Sequence, residues 1–192
     1  MTEERVAKIL QDSLAALGRT AANRAGVIAE IADRVTAAVR AGRFVYVCGC
    51  GGSAADAQHF AAELMGRFKK DSKAMPCLAL TTDTSLLTAV GNDYGFDRVF
   101  DRQVEGVVRE GDVLVAISTS GNSPSIVNAA RRARERGAVV VGMTGRDGGA
   151  LKAETDCCLC VDADGSALVQ ESHGVAIHAI CEIVEIDGAA EA

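Results

Sequence analysis

The sequence of 192 residues contains no tryptophan, and its two tyrosines and five phenylalanines make up 4% of it. A surface that stacks the bases of single-stranded nucleic acid needs such rings, so that class of function is disfavoured. With two prolines and no low-complexity run, the chain does not read as disordered. No apolar run approaches the roughly 20 residues needed to cross a bilayer. The opening Met1-Thr2-Glu3-Glu4-Arg5 lacks the pattern of a signal peptide. A cytoplasmic location with no membrane partner is therefore expected. The formal charge of −6, from 20 basic and 26 acidic residues, disfavours general binding of polyanions such as nucleic acid. It leaves room for a local anion site.

What the chain does have is glycine, 20 copies of it, which points to special turns or ligand loops. Hydrophobic residues at 48% and charged residues at 24% are a normal soluble mix, and the length suits one ordinary domain. Seven cysteines cannot all pair within the chain. Cys157 and Cys160 form a CxxC. A zinc site of that kind needs a second pair, and a redox CxxC opens a helix, whereas residues 157–161 read as a strand. The cysteines are read as reduced packing residues.

Hydrophobic periodicity gives the architecture. Val6, Ile9, Leu10, Leu14 and Leu17 form one helical stripe; Val27, Ile28, Ile31, Val35 and Val39 form a second. Two helices are expected, the second closed by Gly42. Thereafter short β-rich runs (44–48, 77–80, 113–117, 139–143, 157–161) alternate with helical patterns (54–68, 86–90, 98–108, 125–136, 168–185). The strands are continuously apolar, which suits a parallel sheet covered on both faces. The fold class is therefore α/β, a doubly wound five-stranded parallel sheet. Residues 1–42 form a helical segment for oligomerisation and 43–192 the sheet domain, together one domain. The leading stripes are more than so small a domain covers alone, so packing between subunits is expected to bury them.

Small and hydroxyl residues cluster after the strands, in 49–53, 81–85, 118–123 and 144–149. In an open α/β sheet the ligand crevice lies at the carboxyl ends of the strands. The loop 49–53 leads into a helix, whose N-terminal N–H groups favour an anion. It is neither a Walker loop nor GxGxxG. The loop 118–123 holds four hydroxyls and is followed by Pro124 at a helix start. Such hydroxyls either cap helices or surround a phosphate; two such loops on one sheet edge favour the phosphate.

Of the three histidines, His59 lies four residues before Glu63, so both share a helix face. That spacing presents two metal ligands, or merely a surface pair. The second cluster runs from Gln170 through Glu171 and His173 to His178. At about 100° per residue, Glu171 nearly eclipses His178 while Gln170 sits about 80° away. His178, in an apolar helix, is either a core histidine or a group delivered to a site.

Taken together, residues 51–64, 80–85, 91–95 and 118–123 and the Gln170-Glu171-x-His173…His178 tail resemble the phosphoheptose isomerases of the sugar isomerase (SIS) superfamily. The likeness covers nearly the whole chain. It implies a SIS domain, a flavodoxin-like three-layer fold. It also implies conversion of D-sedoheptulose 7-phosphate into D-glycero-D-manno-heptose 7-phosphate, on the way to nucleotide-activated heptoses of surface glycans such as lipopolysaccharide. A cytoplasmic homotetramer with one zinc ion per subunit is implied too. Carried over by position, the metal site is His59, Glu63, Gln170 and His178, with Glu63 the general base and His178 the general acid. Gln170 is thereby preferred to Glu171, which fits if it lies at the frayed start of its helix. The substrate falls to Cys50, Gly51, Gly52, Ser53, Glu63, Arg67, Asn92, Asp93, Ser118, Thr119, Ser120, Ser123 and Gln170.

One departure stands out: the family reads Gly-Asn-Gly-Gly-Ser where this chain has Gly49-Cys50-Gly51-Gly52-Ser53. If the loop binds through its backbone the change is nearly silent; if through the side chain, binding weakens or the preferred sugar changes. Other readings are a non-catalytic SIS scaffold associated with a replication initiator, a sugar-phosphate sensor, and an isomerase of another sugar phosphate.

Overall fold

The computed structural model describes residues 1–188. The chain opens with one helix of 39 residues, α1 (Thr2–Arg40), where the two stripes suggest two helices. The reason is local. No proline lies between the stripes, and Gly18 and Gly26 each cost about 1 kcal/mol in a helix interior, too little to break it. Gly42, at φ 68°, donates its N–H to the Val39 carbonyl (3.0 Å) just past the helix end. Ile31, Ala32 and Val35 are buried, whereas Val6, Ile9, Leu10 and Leu14 remain exposed.

Five strands follow: β1 (Val45–Gly49), β2 (Cys77–Ala79), β3 (Val113–Ser118), β4 (Val139–Gly145) and β5 (Cys157–Val161). They pair in the order β2-β1-β3-β4-β5, every pair parallel. The connecting helices are α2 (Gly52–Met65), α3 (Thr84–Tyr94), α4 (Asp101–Val107), α5 (Pro124–Glu135), the short α6 (Gly149–Lys152) and α7 (Ser166–Gly188). The strands match the sequence expectation to within two residues. The helical pattern expected at 98–108 resolves into a 3₁₀ turn (Phe96–Arg98) and α4.

Both faces of the sheet are covered, as continuous apolar strands require. Val45, Val47, Val113, Val115 and Ile117 join a core with α1, α2 and α7. The alternate residues Tyr46, Cys48, Leu114, Ala116 and Val140 join a second core with α3, α4, α5 and α6. The chain winds outward from β1 to β2, then returns to place β3 on the other side of β1. That reversal opens a crevice at the carboxyl ends of β1 and β3, where ligands bind in sheets of this order.

All seven cysteines are free thiols; Cys50 and Cys158 are half-buried and the rest buried. Burial pushes Cys157 up to about 11 and Cys181 up to about 12, so these thiols stay protonated and inert. Cys157 and Cys160 lie on β5 and open no helix.

His173 is fully buried on α7. Its Nε2 pairs with the Thr144 carbonyl oxygen (3.1 Å), while its Nδ1 has no partner among the described residues. Burial drives its pKa down to about 4, against an opposing pull from the Thr144 carbonyl. In the unfolded chain the imidazole protonates near pH 6.5, so between these values the unfolded state holds more protons. Stability is then lost as pH falls from about 6.5, and the loss from this residue reaches about 3 kcal/mol well below pH 4. Urea denaturation across pH 4–7 should show this slope, and His173→Gln should flatten it; an unchanged slope in the variant would contradict the assignment.

Candidate active site

The loop after β1 turns through Gly51, at φ 60°, directly into α2. No side chain caps α2; the N–H groups of Ser53 and Ala54 bond the Cys50 and Gly51 carbonyl oxygens (3.1 and 3.0 Å), which leaves the Gly52 N–H at the helix start for an anion. Ser53 is buried in that turn. Cys50 Sγ lies 3.4 Å from Ser125 Oγ on α5, with its side chain packed toward the core on that face of the sheet.

The loop after β3 separates the two uses of hydroxyls. Ser123 occupies the N-cap position of α5 without capping it. Its Oγ lies instead 3.0 Å from Ser118 Oγ. Ser120 Oγ accepts the Asn122 N–H (3.1 Å), and Asn122 Oδ1 accepts the Ala150 N–H (3.0 Å), which stitches the loop to α6. The loop after β2 behaves differently: Asp83 caps α3 by accepting the Leu86 N–H (2.9 Å). Thus 81–85 is a capping loop, while 49–53 and 118–123 lead into helices that no side chain caps.

The titratable cluster forms between α2 and α7. His59 and Glu63 share a face of α2, with Nε2 to Oε1 at 2.9 Å. His178 on α7 brings its Nε2 to 3.3 Å from His59 Nε2, the rings edge to face. One ligand atom from each of the three lies within 4.8 Å of the others. Two imidazole nitrogens and a carboxylate oxygen converging on one point are a donor set that zinc accepts.

The remaining expected residues are distributed as follows. Gln170 is half-buried in the second turn of α7, not at a frayed end, and its amide packs against Gly52 beside Asp56. Glu171 is exposed and outside the cluster. Arg67 is exposed just past α2. Asn92 and Asp93 are exposed at the end of α3, where Asn92 Nδ2 donates to Asp93 Oδ1 (2.7 Å). Thr119 and Ser120 border a hollow of about 120 Å³ closed by Arg146, Ser166 and Val169.

Two neighbours escape the sequence reading. Asp56 is half-buried with Oδ2 unpartnered among the described residues; burial raises its pKa, while Gln170 and His59 oppose the rise. It sits three residues before His59, so helical spacing alone could have found it. Phe68 stands beside His178, ring centroids 5.6 Å apart, and no sequence period marks it.

The model of the SIS domain family matches residues 10–145. A phosphoheptose isomerase of a Bradyrhizobium species is 50% identical over 185 residues, spanning 95% of this chain and 93% of that protein. The one of Geobacter sulfurreducens is 52% identical over 161 residues, 84% of this chain and 85% of its own. The chain belongs to the phosphoheptose isomerase family. Solved phosphoheptose isomerases agree in fold. That of Neisseria gonorrhoeae superposes with a TM-score of 0.91 at 42% identity, covering 97% of this chain and all of that one. That of Francisella tularensis gives 0.93 at 34% identity, covering 97% and 99%.

The phosphoheptose isomerase loop after β3 depends on one glycine. Gly121 has φ 66°, and a Cβ there would run into the Gly148 carbonyl oxygen. Backbone cannot yield as a side chain tip can. Gly121→Ala is expected to cost about 1–3 kcal/mol of stability, read as a lower denaturation midpoint. A wild-type midpoint would show that the loop does not need this conformation.

Proposed function

We propose that this chain interconverts D-sedoheptulose 7-phosphate and D-glycero-D-manno-heptose 7-phosphate through an enediol. This is the first step towards nucleotide-activated heptoses for lipopolysaccharide or other surface glycans. The observation that carries the reading is the meeting of His59, Glu63 and His178 in a chain of this family. Two uncapped helix starts follow β1 and β3, the strands that flank the crevice.

The phosphate is assigned to the hydroxyls of Ser53, Ser118, Thr119, Ser120 and Ser123 and the N–H groups of Cys50, Gly51 and Gly52. Binding there, remote from the reacting carbons, positions C1 and C2 of the ketose. Glu63 removes a proton from C1, beside the carbonyl, and the enediol forms. The same carboxyl returns the proton to C2, leaving the aldehyde at C1. His178 moves the compensating proton between the two oxygens. Each such group contributes about 10²–10⁴-fold. Arg67, Asn92, Asp93 and Gln170 bind the polar remainder of the sugar.

The same reading gives each subunit one zinc ion held by His59, Glu63, Gln170 and His178. When bound, it supplies Lewis-acid stabilisation of negative charge on the substrate oxygens. A carboxylate held by a cation is a poorer base, and an imidazole nitrogen held by one carries no proton, so Glu63 and His178 each give up one role while performing the other.

The assembly proposed is a homotetramer in the cytoplasm. Two observations support it. The exposed Val6, Ile9, Leu10 and Leu14 form an apolar stripe on α1. The hollow beside Thr119 and Ser120, about 120 Å³, is smaller than the roughly 300 Å³ at which ligand pockets begin, which suits a site completed by a neighbouring subunit. No helix among the described residues is long and apolar enough to cross a membrane. A scaffold without catalysis is disfavoured because the acid–base set is intact. Cys50, turned toward Ser125, leaves the loop to bind through its backbone, which favours the family substrate over another sugar phosphate.

Purified protein supplied with zinc should convert sedoheptulose 7-phosphate to the heptose 7-phosphate; no turnover by the folded protein would overturn the assignment. Glu63→Gln should lower kcat by about 10²-fold or more while sugar-phosphate binding persists. Chelation should abolish turnover and zinc restore it, and activity indifferent to chelation would remove the metal from the account.

A further inference from the structure

The segment 66–76 between α2 and β2 has no helix or strand, yet it carries Arg67 and Phe68. One side chain on α7 fastens it. Glu185 Oε1 accepts the main-chain N–H groups of Phe68 (3.1 Å), Lys69 (3.0 Å) and Lys70 (2.9 Å), and Oε2 accepts that of Lys69 (3.1 Å). Glu185 is 4% exposed. A single buried carboxylate therefore satisfies three consecutive N–H groups, a nest that favours an anion. Burial works to raise its pKa, but the N–H groups of Lys70, Lys69 and Phe68 outweigh it and hold the carboxyl below its ordinary value. Lys69 Nζ adds a surface tie to Glu182 Oε1 (2.7 Å).

The position of this anchor matters. Glu185 follows His178 on α7 by seven residues, about two turns, so both lie on one side of the helix. Phe68, the first residue in the carboxylate's grip, stands beside the His178 ring. The helix that delivers His178 thus also holds the segment that flanks it. Losing the carboxylate would leave three N–H groups without their acceptor, at a desolvation cost if they stayed buried. The segment would detach rather than bear that cost, and Phe68 would leave His178.

We propose that Glu185 is a positioning residue for the isomerisation, acting through Phe68 on His178. This deepens the isomerase reading and rests on it. The loops 49–53 and 118–123 make no contact with Glu185 in its hydrogen bonds, so phosphate binding should be spared.

The test uses the full chain with zinc and the isosteric Glu185→Gln, whose amide loses one acceptor and turns N–H toward N–H. Hydrogen exchange at the 68–70 amides should rise about 10-fold or more, since the fastened segment opens locally. kcat should fall by about 10- to 100-fold, with KM for sedoheptulose 7-phosphate within about twofold of wild type. Phe68→Leu should lower kcat similarly without raising exchange at 69 and 70, and the double variant should fall less than the product of the two. Faster exchange with wild-type kcat would reduce Glu185 to a structural anchor and overturn the proposal; unchanged exchange would overturn the anchor itself. If Glu185→Gln does not fold, wild-type kcat in Phe68→Leu overturns the link from its other end. Absence of turnover in the wild-type protein sinks the isomerase reading and the positioning role with it. The exchange measurement judges the anchor separately.

Discussion

The site exists because α2 and α7 pack side by side on one face of the sheet. Phe60, Ala61 and Leu64 on α2 share a buried core with Ile177, Ile180, Cys181 and Val184 on α7. Polar residues next to those apolar stripes are carried to the edge of the contact. His59 and Glu63 come from one helix and His178 from the other, and they meet where the stripes end. Interiors are packed closely enough to fix such a meeting to a fraction of an ångström, which proton transfer requires. The same contact puts Gln170 against Gly52, where a side chain in place of glycine would displace the amide.

The second requirement is an anion site in an acidic protein. The chain carries a formal charge of −6, and the loops 49–53 and 118–123 contain no lysine or arginine. In the proposed site, hydroxyls and helix N-termini replace them. This works because partial charges on fixed N–H groups need no counter-charge and undergo little reorganisation when a ligand arrives. The hydroxyls of Ser118 and Ser123 face one another rather than cap α5, as the proposed site requires.

Much of this was legible in the sequence, for physical reasons. Continuous apolar runs located all five strands, because a parallel sheet covered on both faces leaves no polar alternation. The i, i+4 spacing put His59 and Glu63 on one face, and helix geometry is rigid enough for that to hold. Other features depended on contacts that no period encodes. One helix, not two, spans residues 2–40, because glycines inside a helix weaken it without ending it. Angular arithmetic placed Glu171 over His178, yet Gln170 is the one turned toward α2, since neighbouring packing selects the face. Glu185 only closed the helical pattern 168–185, and it is a buried acceptor for a segment 115 to 117 residues away in sequence. Whether a loop side chain caps its helix, as Asp83 does, or bonds elsewhere, as Ser123 does to Ser118, depends on side-chain directions that no sequence period encodes.

The central claim is that Glu63 moves a proton between adjacent carbons of the sugar. Running the reaction in D₂O and reading the product by NMR tests it most directly. Deuterium should enter C2 of the heptose 7-phosphate formed by the wild-type protein, as far as the protonated Glu63 carboxyl exchanges with solvent before it returns the proton, and none should be introduced by Glu63→Gln. Glu63→Gln product that forms at the wild-type rate with the wild-type deuterium content would contradict it.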